Sequence, residues 1–258
     1  MNNVKPIKSF VLRSGRLTQR QKNALDASHY LLNHLSGKIN WEKIFGCDIK
    51  KSSASPIILE IGFGMGKTLL ESAKSHPDIC FVGIEVYRSG VGALLAELHQ
   101  QDIQNVRVFC ADAVQVLNDC IADNSLQAIH IFFPDPWPKN RHHKRRLITA
   151  EFIKLIAPKL KVGGYLHLAT DWEDYAKVMM KILSAAEDFA NVAQEDKCIS
   201  DGNGDGATSS DINISRLPTK DVCLARPLTK YEERGQRLGH QIWDLIFVKK
   251  SIIGVKIS

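Results

Sequence analysis

The 258-residue sequence has no C-x-x-C pair: its six cysteines, Cys47, Cys80, Cys110, Cys120, Cys198 and Cys223, are scattered. That spacing excludes a zinc ribbon and a dense disulfide framework, and it suits a reducing compartment. No apolar run approaches the roughly 18 residues a membrane helix requires, and the opening MNNVKPIKSF lacks a signal-peptide core. A soluble cytoplasmic chain with no membrane partner is expected. Repeats and coiled-coil heptads are missing as well. Charge is only mildly one-sided, with Lys+Arg 34 against Asp+Glu 28. That excludes a histone-like tail but hints at an anionic partner. With 44% hydrophobic and 24% charged residues, what is present suffices for one substantial core.

Residues 4–22 carry Lys5, Lys8, Arg13, Arg16, Arg20 and Lys22 with no acid before Asp26, a basic arm. Leu17 to Leu35 reads as a helix that Gly37 stops. Residues 1–55 are therefore set apart as arm and helix, and 56–258 as the main domain. In that domain IILEI (57–61), FVGIEV (81–86), VRVFC (106–110), AIHIFF (128–133) and YLHLA (165–169) read as buried strands. Helical stretches alternate with them, the clearest carrying Val91, Leu94, Leu95 and Leu98 on one face. Alternation of this kind predicts an α/β fold with a mostly parallel sheet. SDGNGDGATSSDINIS (200–215) is too polar to bury much surface and reads as a mobile insertion; IWDLIFV (242–248) reads as a last, antiparallel strand.

The first strand runs into Gly62, Gly64 and Gly66, with a helix opening at about Lys67. Glycines there let backbone approach a ligand closely. Counting back from Gly66 puts Ile61 where a Walker A loop needs its first glycine, which argues against a nucleoside triphosphate. Lys67 replaces the third glycine of a dinucleotide fingerprint, which demotes NAD. S-adenosylmethionine, a sulfonium cation without phosphate, calls for acids. Glu60, Glu85, Asp112 and Asp135 stand at four successive strand ends, where ligands of open α/β sheets bind. Glu85, 19 residues after Gly66, suits a ribose diol, Asp112 the adenine edge and Glu60 the amino acid end. Taken singly, each acid could equally be a helix cap or a solvated loop residue.

FFPDPWPKNRHHKRR (132–146) is the most unusual stretch. Pro134, Pro136 and Pro138 stiffen the backbone around Asp135 and Trp137. A carboxylate held there, beside a methyl donor, can pin a planar base. Lys139, Arg141, Lys144, Arg145 and Arg146, with His142 and His143 among them, can hold several phosphates. A solvated basic loop is the plainer alternative. Trp137 and Tyr231 are open between stacking on bases and packing. The paired histidines lack the supporting ligands of a metal site, and no metal is expected.

Together Glu60 to Gly64, PDPWPKNRHHKRRL (134–147), Thr170-Asp171 and RPLTKYEERGQRLGHQIWDL (226–245) resemble the bacterial tRNA (guanine-N7)-methyltransferase family. SFVLRSGRLT (9–18) is similar as well, so the resemblance spans nearly the whole chain. It implies a Rossmann-like methyltransferase fold with a C-terminal antiparallel strand, and methyl transfer from S-adenosylmethionine to guanine 46 of the tRNA variable loop, leaving S-adenosylhomocysteine. It also implies that Glu60, Glu85, Asp112 and Asp135 contact the methyl donor, the glycine turn lying beside them, with Asp135 catalytic. Lys139, Asp171, Thr229, Lys230, Tyr231 and Glu232 correspond to substrate-contacting positions, and Arg141, His142, His143, Lys144, Arg145 and Arg146 to an RNA-contacting loop. A monomer is favoured over a homodimer.

Overall fold

The computed structural model describes residues 8–11, 15–26, 28–32, 37–46, 55–192 and 241–251. In chain order the elements are α1 (Gln19–Asp26), α2 (Trp41–Phe45), β1 (Ile57–Ile61), α3 (Lys67–Ser75), β2 (Cys80–Glu85), α4 (Arg88–Gln100) and β3 (Val106–Cys110). There follow α5 (Ala113–Asp119), β4 (Leu126–Phe132), α6 (Ala150–Ile156), β5 (Leu160–Thr170), α7 (Glu173–Ser184), β6 (Phe189–Asn191) and β7 (Trp243–Lys249). The seven strands form one sheet in the order β3-β2-β1-β4-β5-β7-β6. Pairs β1/β2, β2/β3, β1/β4 and β4/β5 are parallel, whereas β7 runs antiparallel to β5 and β6.

Successive strand residues point to opposite faces, so near-continuous apolar strands need cover on both. One face packs Ile58, Phe81, Val108 and Ala128 against α3 and α4; the other packs Leu59, Val82, Ile129 and Leu166 against α5, α6 and α7. Val91, Leu94, Leu95 and Leu98 of α4 are at most 1% exposed, and each such side chain contributes about 1.5–3 kcal/mol by burial. Strand order reverses between β2-β1 and β1-β4, which opens a crevice beyond the carboxyl ends of β1 and β4. The expected strands are all present, β4 and β5 being longer than their apolar runs.

The helix expected over Leu17 to Leu35 is corrected. α1 ends at Asp26, and the chain then pairs with the edge of β3: the Val108 amide donates to the Tyr30 carbonyl at 2.9 Å, and the Leu32 amide to the Val108 carbonyl at 2.8 Å. An edge strand leaves backbone groups unpaired, and satisfying them outweighs extending a helix whose own face is weakly apolar. α1 itself lies on α4, where Arg20 pairs with Glu97 at 2.9 Å and the Gln21 amide nitrogen donates to the Ser89 carbonyl. The polar segment 200–215 lies outside the described residues.

β4 and β5 are also less uniformly apolar than AIHIFF and YLHLA suggest. His130 and His167 are register partners on one sheet face, and Glu60 of β1 pairs in register with His130. The His130 ring nitrogen Nε2 lies 3.1 Å from the Tyr165 hydroxyl, and His167 Nε2 lies 2.8 Å from Asp244 of β7. Burial, then the neighbouring His167, holds His130 well below the ordinary imidazole range. It is therefore neutral.

Candidate functional site

β1 ends in a turn that only glycine suits, Gly62, Gly64 and Gly66 having φ of 79°, 58° and 78°. The Gly62 amide donates to the Ile84 carbonyl at 2.8 Å, which fastens the turn to β2. Opposite, the Glu85 carboxylate accepts from the amides of Gly64 at 2.9 Å, Val86 at 2.6 Å and Tyr87 at 3.0 Å. Glu85 is thereby fixed at the end of β2 with its side chain against the glycine turn.

Glu60 is 5% exposed, and Glu85 6%. Burial pushes the Glu60 carboxyl up to about 8, and the charge on Glu85 adds to the effect. Such a group is protonated at neutral pH until positive charge arrives beside it. Asp112 caps α5, its carboxylate accepting from the Val114 amide at 3.0 Å. The plain capping role is thus realised for this acid, at the strand end where an adenine-binding group was expected.

One residue of the turn's support went unread in the sequence. Gly90, in the first turn of α4, lies so close to the glycine turn that a Cβ added there would overlap the Gly64 carbonyl oxygen. Its signal was a glycine five residues past Glu85, in a helix otherwise rich in leucine. Also unread were exposed apolar side chains at the ends of β1, β3 and β5: Met65, Val114 and Trp172 are 62%, 41% and 40% exposed. An apolar rim of this kind suits the flat faces of a nucleoside or a base.

Beyond β4 the backbone is strained. Phe133 and Trp137 adopt φ of 51° and 45°, uncommon for bulky side chains and costing on the order of 1–3 kcal/mol each. The Phe133 amide donates to the Ala169 carbonyl at 2.8 Å, joining the ends of β4 and β5. Asp135, between these two residues, is exposed. The Tyr175 phenol beneath is pushed up to about 12, chiefly by burial, with the charge of Asp135 a smaller contribution in the same direction.

Trp137, open in the sequence between stacking and packing, is half-buried and fully engaged. Its indole N–H donates to the Ser9 carbonyl at 3.2 Å, His142 meets the ring edge-on at 5.9 Å, and the Arg145 guanidinium lies 5.1 Å from the ring centre. The Tyr87 hydroxyl donates to the Val11 carbonyl at 2.6 Å. Residues 8–11 of the basic arm thus pass between the end of β2 and the proline loop.

Residues Asn140–Arg145 form a 3-10 helix. Lys139, Arg141 and Lys144 are exposed, while His142, His143 and Arg145 are half-buried. Local desolvation, then the cations Arg141, Arg145, Lys139 and Lys144, hold His142 below its ordinary value, so these side chains share one potential. Arg146 departs from the group. It is 5% exposed and turned inward to Pro136 and Asp174. Asp171 follows β5 directly and is half-buried. Thr229, Lys230, Tyr231 and Glu232 lie outside the described residues.

Among the described residues no cluster of three or more His, Cys, Asp or Glu side chains could hold a metal, and no helix is long and apolar enough to cross a membrane. A family model described as "Putative methyltransferase" matches residues 54–204. The chain is 46% identical over 245 residues to the tRNA (guanine-N(7)-)-methyltransferase of Pseudomonas fluorescens, covering 94% of this chain and 90% of that protein. It is 45% identical over 250 residues to the enzyme of the same name from Alcanivorax borkumensis, covering 96% and 93%. In fold it is similar to the 16S rRNA methyltransferase KamB, with a TM-score of 0.50 and 12% identity, over 77% of this chain and 89% of that one.

Proposed function

The chain belongs to the tRNA (guanine-N7)-methyltransferase family, and on that premise we propose that it methylates N7 of guanine 46 in the tRNA variable loop. The observation that carries this reading is a carboxylate, Asp135, on a proline-braced loop at the end of β4, beside exposed Lys139, Arg141 and Lys144. β4 is the sheet neighbour of β1, whose end bears the glycine turn.

The acids of the crevice fit a cationic donor. Glu60 is buried and gains its charge only against a positive partner, which suits an α-ammonium group. Glu85 is oriented by three backbone amides, which leaves a fixed acceptor for ribose hydroxyls. S-adenosylmethionine, when bound, supplies an electrophilic methyl carbon on a cationic sulfur and leaves as S-adenosylhomocysteine.

Guanine N7 carries an in-plane lone pair and no proton, so the reaction needs no general base. The nitrogen–carbon bond forms as the carbon–sulfur bond breaks, and the positive charge passes from sulfur to the purine. The protein's task is alignment, for which orientation alone supplies about 7–11 kcal/mol in favourable systems. In this reading Asp135 and Asp171, which follow the neighbouring strands β4 and β5, accept hydrogen bonds from guanine N1 and N2 and offset the growing purine charge. Glu232 shares that task, and Lys139, Thr229, Lys230 and Tyr231 hold the nucleotide. Arg141, His142, His143, Lys144 and Arg145 hold the phosphates around it. Residues 1–55 bring the basic arm to the RNA and residues 56–258 carry the transfer. In this reading the enzyme works in the cytoplasm, and a monomer is favoured over a homodimer.

Labelled methyl transfer to bulk unmodified tRNA, followed by mapping of the modified nucleotide, tests the reading. N7-methylguanosine at position 46 is the expected product; modification at another nucleotide, or none, would sink it.

A further inference from the structure

Three of the five residues in Pro134–Pro138 have no backbone N–H, so this loop can be tied to the rest of the protein mainly through its carbonyls. A donor has to come from elsewhere. Arg146 provides it: its Nε donates to the Pro136 carbonyl at 2.8 Å, and its Nη2 to Asp174 Oδ2 at 2.7 Å. Its guanidinium carbon stands 4.7 Å from the centre of the Tyr175 ring. The Tyr175 hydroxyl in turn accepts from the Ile148 amide at 3.0 Å, two residues beyond Arg146. A single side chain therefore joins the Pro136 carbonyl, one residue beyond Asp135, to Asp174 in the first turn of α7, three residues beyond Asp171.

Taking the proposed methyl transfer as given, we propose that Arg146 is a positioning residue, fixing the Asp135–Pro136 segment against Asp174 and Tyr175, and that it makes no contact with RNA. The geometry requires arginine. Only a planar fork can serve a carbonyl and a carboxylate at once while stacking on a ring; a lysine ammonium would reach one partner and forgo the stacking. Asp174 is the exposed end of the link, its side chain 61% accessible against 4% for Arg146. Charge drawn from the basic run is thus spent inside the protein, and the cations that face outward are Lys139, Arg141 and Lys144.

The test is steady-state methylation of unmodified tRNA by the full-length chain at two salt concentrations, with S-adenosylhomocysteine affinity and stoichiometry measured by calorimetry. Arg146→Lys is expected to lower kcat by about ten- to a hundredfold, the scale of a misplaced reacting group. The KM for tRNA, its salt dependence and the binding stoichiometry should stay within twofold of the parent. Asp174→Asn should lower kcat several-fold, and the double variant should be no worse than Arg146→Lys alone, because both changes break one link. A raised KM with a shallower salt slope would make Arg146 an RNA contact and overturn the proposal. So would an unchanged kcat, losses that multiply in the double variant, or a loss of kcat matched by lost binding stoichiometry. Should Arg146→Lys fail to fold, the surface change Asp174→Asn decides alone. A parent chain that leaves tRNA unmodified overturns the proposed function instead.

Discussion

The two sides of the crevice are built on opposite plans. On the β1–β2 side, buried Glu60 and Glu85 face a glycine turn whose backbone is locked by hydrogen bonds to Ile84 and to Glu85 itself. On the β4–β5 side, Asp135 is exposed on a strained loop, and the cations beyond it are mostly accessible. The difference matches the sizes of the two ligands proposed. A small cation can be enclosed, and enclosure strengthens its attraction to carboxylates. A polyanion larger than the protein's own crevice can only be met at the surface, by charges that solvent partly screens.

The sharpest way to break this comparison is to remove the acid of the proline-braced loop. Asp135→Ala should lower labelled methyl transfer by about a hundred- to a thousandfold, the scale of losing a group aimed at developing charge, with tRNA retention on filters nearly unchanged. Full turnover would remove Asp135 from the chemistry.

Next in size is the enclosed side. Gly90→Ala inserts a methyl group against the Gly64 carbonyl, and overpacking of this kind typically costs about 1–3 kcal/mol. If the turn yields, affinity for S-adenosylhomocysteine should fall by about tenfold or more by calorimetry, while tRNA binding is spared. Equal affinity in parent and variant would show that the turn does not hold the donor.

A third prediction concerns pH. With the Glu60 carboxyl pushed up to about 8 from 4.5, the folded protein keeps a proton that the unfolded chain releases above its ordinary range. Stability from this group therefore falls as pH rises from about 4.5 to 8 and is level above. Binding of an α-ammonium group has the reverse sign. It favours the carboxylate, so affinity for S-adenosylhomocysteine should rise between pH 6 and 8, with proton release visible in buffers of different ionisation enthalpy. Glu60→Gln should abolish both the slope and the release; a slope that survives the change would assign it to another group.

The smallest effect belongs to the outward cations. Lys144→Ala should weaken tRNA binding only a few-fold and reduce the log–log salt slope by about 0.7, the contribution of one single-strand phosphate contact. The same measurement on Lys74→Ala, on α3 and paired with Glu71, should leave the slope unaltered.

Much of this site was readable in the sequence because chemistry and position coincide in a parallel sheet. An acid that follows a buried strand must emerge at its carboxyl end, and strands joined by right-handed crossovers place those ends together. The places of Glu60, Glu85, Asp112 and Asp135 at strand ends were read this way, whereas the start of α3 at Lys67 was read from the glycine turn and the antiparallel β7 from its apolar run. The helix expected to run to Leu35 failed for a different reason: apolar spacing records what can be buried, and Tyr30 is buried by pairing with β3 rather than by coiling. Gly90 was missed because the atom it avoids, the Gly64 carbonyl, is 26 positions away in the chain.

What the sequence determined by itself was the alternation of strand and helix, the glycine turn and the charge of each loop, all of which follow from local periodicity and composition. What only the tertiary structure decided was the direction in which each charge points. Arg145 and Arg146 are adjacent and chemically identical, yet one lies over Trp137 and the other is buried between Pro136, Asp174 and Tyr175. A run of cations carries no record of which member the fold will desolvate; that depends on the carbonyl, the carboxylate and the ring that distant parts of the chain bring to it.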